Sequence, residues 1–174
     1  MVNFRFLVGI FIFSVAAFAV HAQPSAQIDT ADWANYRNDK FGFEVKYPKS
    51  LHENSITGTV DNIPIERVEF NDKTGKGIQF VVQRGINPNG LSFDQWTADQ
   101  LKKFNKAPPQ LKNVTIGGRP AILLNQMIFD YRSYSFHVSL NKTDILTILI
   151  RRPSTETQLD QTYEAILSTI KFLN

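Results

Sequence analysis

His137 shares a strand parity with Ser133, Ser135 and Ser139, so a serine-histidine site is the sharpest chemistry this chain can suggest. Such a site needs a hydrogen bond from nucleophile to base and an acid that orients the base. Neighbours on one face of one strand stand about 6–7 Å apart, so Ser135, His137 and Ser139 are first a polar sheet face and only second a hydrolase. No Gly-x-Ser-x-Gly elbow accompanies them. His52 lies eighty-five positions before His137 and His21 falls in the leader, so no close-spaced histidine pair for a metal exists. Cysteine is absent, which removes disulfides, thiolate nucleophiles, thiolate ligands and a lipid-modified N-terminal Cys together.

The remaining motifs reduce to loops. Gly75-Lys76-Gly77 lacks the phosphate-loop pattern, because Phe70 stands where its first Gly would be and Gly77 follows the Lys. Asp72-x-Thr74 with Glu69 is too sparse for an EF-hand. Asn113-Val114-Thr115 and Asn141-Lys142-Thr143 are glycosylation sequons that matter only in a host that glycosylates. No catalytic, cofactor-binding or metal residue is assigned, and no cofactor is expected.

The chain opens as an export signal. Arg5 precedes an apolar run from Phe6 to Val20, and Val20-His21-Ala22 places small residues at the two positions a signal peptidase seats, so cleavage is expected between Ala22 and Gln23. Fifteen residues as a helix reach about 22 Å, short of a hydrocarbon layer of about 30 Å. The expected mature form has no stable membrane insertion and is periplasmic or extracellular. Residues 1–22 are thus a leader, 23–32 a short polar lead, and 33–174 one domain, a length that buries a full core unaided. The leader holds Arg5 and no acid, leaving 18 basic against 16 acidic groups. Lys102 and Lys106 face away from the apolar stripe of their helix beside Asp99, so no basic face for nucleic acid is expected.

The elements that would position any site follow from periodicity. Phe41, Phe43, Val45 and Tyr47 alternate with polar residues up to Pro48 and pair with Trp33–Arg37 as a hairpin. Ile63–Phe70 and Ile78–Arg84 form another across a loop with Gly75 and Gly77. Ser92 and Gln95 make a capping box, with Leu91 and Trp96 as its staple, at the head of a helix ended by Pro108-Pro109. Phe93, Trp96, Leu101 and Phe104 give that helix one apolar face. Val114–Ile116 turns at Gly117-Gly118 into Ala121–Phe129. The alternating strand containing Tyr134, Phe136, Val138 and Leu140 follows, then a turn at 141–144. Ile145–Ile150 is apolar on both parities, apart from Thr147, as a central strand is. A last helix from about Thr155 to Ile170 starts at a Thr155/Gln158 capping box and carries the stripe Leu159, Tyr163, Ile166, Leu167, Ile170. Tight turns dictate antiparallel pairing. The expectation is an α+β fold, a central antiparallel sheet of about six strands with helices on both faces.

Three segments also resemble one family. Trp33-x-x-Tyr36 with Asn38-x-Lys40-Phe41-Gly42-Phe43 and Tyr47-Pro48, then Val114-x-Ile116-Gly117-Gly118-Arg119-Pro120-Ala121, then Ala165–Phe172, follow the order of the PsbP-like family from Trp33 to the C-terminus. One departure is that Lys49-Ser50-Leu51 follows Pro48, where such sequences often carry Trp. The resemblance implies an α/β/α sandwich and a non-enzymatic, often exported protein; in plants and cyanobacteria it implies an accessory of photosystem II. Three functions stand in order. The first is a non-catalytic exported accessory or binding domain acting on a protein or small ligand. By resemblance, the second is a divalent-cation-dependent accessory of a membrane complex. Last comes a hydrolase using His137.

Overall fold

A computed structural model describes residues 28–60, 62–102, 110–153, 155–156 and 159–173. The leader 1–22, the Ala22–Gln23 junction, Phe104, Lys106, Pro108-Pro109 and Gln158 lie outside the described residues. The chain runs β1 (Ala34–Asn38), β2 (Phe43–Tyr47), β3 (His52–Val60), β4 (Ile63–Asn71), β5 (Gly77–Gln83), α1 (Phe93–Lys102), β6 (Gln110–Ile116), β7 (Arg119–Ile128), β8 (Tyr131–Ser139), β9 (Ile145–Pro153), α2 (Gln161–Ser168) and β10 (Lys171–Phe172).

The strands form two sheets rather than one of about six. Seven join in the order β3-β4-β5-β9-β8-β7-β6, and three join separately as β1-β2-β10. Every pairing is antiparallel. Two strands escaped the sequence pattern for physical reasons. β3 is an exposed edge strand of mostly polar residues, so burial imposes no alternation on it. β10 is two residues long and exists only because Phe172 pairs with Phe43 of β2. β9 occupies the middle of the large sheet as its composition requires, with Ile145, Leu146, Ile148 and Ile150 buried.

One face of the large sheet packs on the small sheet and α2. Phe70, Ile78, Phe80, Phe136, Val138, Leu146 and Ile148 join Phe43 and Val45 of β2 and Tyr163, Ile166 and Ile170 in one cluster. Phe43 stacks on Phe80 at 5.9 Å between ring centroids, and Phe70 meets Phe80 edge-on at 5.8 Å. The mostly antiparallel architecture with two short helices is as expected. The description as helices on two faces is too simple, because a three-stranded sheet shares the first face with α2. α2 also starts later than Thr155. Asp160 is its N-cap, accepting from Thr162 N at 2.7 Å, while Thr155 lies outside it and Glu156 N closes a turn onto Pro153 O at 3.0 Å. Arg152, paired with both Glu156 and Asp160, holds that turn against the helix start.

The three segments that resemble the PsbP-like family converge in space. Leu173 N donates to Gly42 O at 2.7 Å, and a Cβ on Gly42, at φ 66°, would sit 3.1 Å from Leu173 O. Gly117, at φ 53°, backs onto Ile170 O and the Phe172 ring so closely that a Cβ would lie 2.9 Å from each. The Arg119 guanidinium lies over that ring, 4.4 Å from its centroid. These residues lock the fold around β10.

Ile166 is fully buried in this cluster. Placing an unpaired carboxylate there costs several kcal/mol, comparable with a domain's whole net stability of about 5–15 kcal/mol. Ile166→Asp is therefore expected to abolish the cooperative thermal transition seen by circular dichroism; a wild-type-like melt would refute this placement of α2.

Candidate functional site

The second face of the large sheet carries the odd-numbered residues of β8 and β9 and is covered in part by α1. Two devices set α1 there. The capping box forms as its residues predict: Ser92 N donates to Gln95 Oε1 at 3.1 Å and Gln95 N to Ser92 Oγ at 3.3 Å. Asn87 is the device that sequence reading missed, taken only as turn punctuation. Buried, it donates through Nδ2 to Leu91 O and Lys142 O, both at 2.8 Å, and its Oδ1 accepts from Leu91 N at 3.0 Å. It ties the entry of α1 to the β8–β9 turn. On the exposed side of α1, Lys102 pairs with Asp99 at 3.6 Å.

Trp96 projects from α1 onto His137, ring centroids 5.7 Å apart. Beside them lies a groove of about 280 Å³ whose walls include Ile86, Leu101, Leu124, Gln126 and Ser135. Among the described residues its lining contains no Asp, Glu, Lys or Arg. His137 Nδ1 lies 3.1 Å from Thr147 Oγ1, and that hydroxyl donates onward to Gln83 Oε1 at 3.3 Å. Thr147 thus engages Nδ1 of the imidazole and leaves Nε2 as the ring's second polar atom. That Nε2 is buried and finds no hydrogen-bond partner among the described residues; the same holds for the donor Trp96 Nε1. Burial holds the His137 pKa down to about 4, so the ring is neutral at physiological pH.

The suspected polar face is therefore not a solvated one. Ser133 and Ser135 are buried, and Ser139 Oγ donates to Asn141 O at 2.9 Å in the turn. Neither nitrogen of His137 contacts Ser135, since Nδ1 faces Thr147 and Nε2 has no partner. Ser135 and His137 share a groove without forming a dyad, and Ser139 is outside it. Among the described residues no group of three or more His, Asp or Glu could hold a metal, and no helix there is long and apolar enough to cross a membrane.

Comparison with known proteins places the architecture. No protein-family profile and no curated protein matches the chain. The solution structure of cyanobacterial PsbP (CyanoP) from Synechocystis sp. PCC 6803 superposes over 87% of this chain and 98% of that one, with a TM-score of 0.50 and 12% sequence identity. The chain has a PsbP-like fold. At that identity the likeness is one of architecture, and it agrees with the segments that meet around β10.

The buried ring of His137 has a pH consequence. Its folded pKa lies below the ordinary 6.5, so between those values the unfolded chain binds a proton that the folded chain refuses. Stability from this group is complete above pH 6.5 and is lost as pH falls toward 4, by roughly 3 kcal/mol at most. An NMR titration should find the His137 imidazole resonances unshifted until near pH 4; a midpoint near 6.5 would contradict its burial.

Proposed function

We propose that this protein is a non-catalytic exported accessory domain that binds a small neutral ligand in the groove between α1 and the sheet. One observation carries the reading: His137 and Trp96 line one largely apolar groove, and His137 Nε2 and Trp96 Nε1 are buried there without partners among the described residues. Buried polar atoms left without partners cost free energy. A group that both accepts and donates, such as a hydroxyl, satisfies both. Among the described lining residues no cation awaits a carboxylate, so the class favoured is apolar with one hydroxyl. The groove's 280 Å³ limits the ligand to a small one, at the lower end of usual pocket sizes of about 300–1,000 Å³. Absence of a His137–Ser135 contact supports binding over hydrolysis. The leader sequence supports export.

A second reading is favoured by the fold. A PsbP-like architecture accords with a divalent-cation-dependent accessory of a membrane complex, as the photosystem II members of that family imply.

Thermal shift separates the readings. A hydroxyl-bearing apolar ligand at a hundredfold excess over its Kd stabilises the native state by about 2.7 kcal/mol, or roughly 5–10 °C for a domain of this size. Gln126→Trp, which fills the groove from a half-exposed strand position, should abolish that shift. Stabilisation by millimolar Ca²⁺ or Mn²⁺ that survives Gln126→Trp would favour the cation reading instead. Esterase or amidase turnover that vanished in His137→Ala would defeat the non-catalytic assignment.

A further inference from the structure

β7 and β8 meet at a two-residue turn, Phe129-Asp130, between the paired Ile128 and Tyr131. Phe129 sits at φ 54° and is 96% exposed. This is the first turn position, where a tight hairpin favours Gly and a bulky side chain is strained. Met127, Ile128 and Tyr131 are each exposed by 40–50% around it. A strained backbone that displays an aromatic ring to water directs attention to what the ring touches in use.

The surroundings select that contact. At the same end of the sheet, Lys76 of the β4–β5 loop and Arg151 of β9 join Ile128, Phe129 and Tyr131 around a groove of about 640 Å³ that has no acidic residue among its described lining. Asp72 is engaged within its own loop, its Oδ1 accepting from the backbone N–H groups of Thr74 and Lys76 at 2.8 and 3.0 Å. Asp130 remains at the turn.

We infer that this end of the sheet docks peripherally on an anionic lipid surface. Phe129 and Ile128 enter the boundary between headgroups and acyl chains, Tyr131 lies at headgroup level, and Lys76 and Arg151 meet lipid phosphates. The Asp130 carboxylate stays in headgroup water and limits the depth, so contact is reversible. Exposed apolar and aromatic residues flanked by two cations match the layered chemistry of an anionic bilayer surface, with acyl chains beneath phosphates. This surface is separate from the α1 groove and stands whether or not that groove binds a ligand.

The test uses the full chain, its leader common to every variant, with vesicles of phosphatidylcholine alone or mixed with phosphatidylglycerol. With the mixed vesicles, Phe129→Trp should gain blue-shifted emission that brominated acyl chains quench. Phe129→Gly, which relieves the left-handed strain, should melt about 2–4 °C higher yet bind mixed vesicles about tenfold more weakly. Lys76→Ala with Arg151→Ala should weaken binding to mixed vesicles by about tenfold or more and leave binding to phosphatidylcholine unchanged. The inference is overturned if the tip tryptophan neither shifts nor is quenched, or if Phe129→Gly binds as the wild type does. A shift that instead follows protein concentration without lipid would also overturn it, assigning the tip to a second copy of the chain.

Discussion

Phe43 stacked on Phe80 is the contact on which the rest of the structure depends, because it joins two sheets that share no strand. A seven-stranded sheet has two faces to protect from water, and the described helices, α1 and α2, do not do this alone. On one face a second, small sheet brings aromatic residues that pack with Phe70 and Phe80. Such ring pairs add about 0.5–1.5 kcal/mol each beyond their buried area, and they set the distance at which β2, α2 and β10 can close over the core.

The cost of that arrangement falls on the opposite face. There α1 is held by the Ser92–Gln95 box and by Asn87, and its Trp96 packs on His137, with His137 Nε2 and Trp96 Nε1 both lacking a partner among the described residues. The groove at Trp96 runs beside α1, and the polar atoms in it keep bonding capacity that a fully packed core would have consumed. Architecture and candidate function therefore meet at the seam between α1 and the sheet.

What could be read from the residues alone followed burial. Strands with one wet and one dry face, such as β2 and β8, declare themselves by alternation, and β9 by apolar residues on both parities. β3 has exposed residues on both faces and left no such signal. β10 is imposed by a distant partner. The Thr155/Gln158 pattern suits a helix start, yet Asp160 takes that role because Arg152 draws Glu156 and Asp160 together before the helix begins. At the site, the parity of Ser135 and His137 was legible and their separation followed from strand geometry. The burial of the His137 Nε2 atom, the Thr147 contact of its Nδ1 and the clamp at Asn87 were not, since each depends on residues brought in from another element.

The bond from Lys46 N to Thr169 Oγ1, 2.9 Å long, spans 123 positions of chain. With the pairing of Phe172 and Phe43, it means that the small sheet is unfinished until remote segments arrive. Topologies dominated by such long-range closure fold slowly, because loop entropy is spent before the contacts compensate. The small sheet therefore closes after the local hairpins of the large sheet, and its closure is the step that joins the two ends of the described chain.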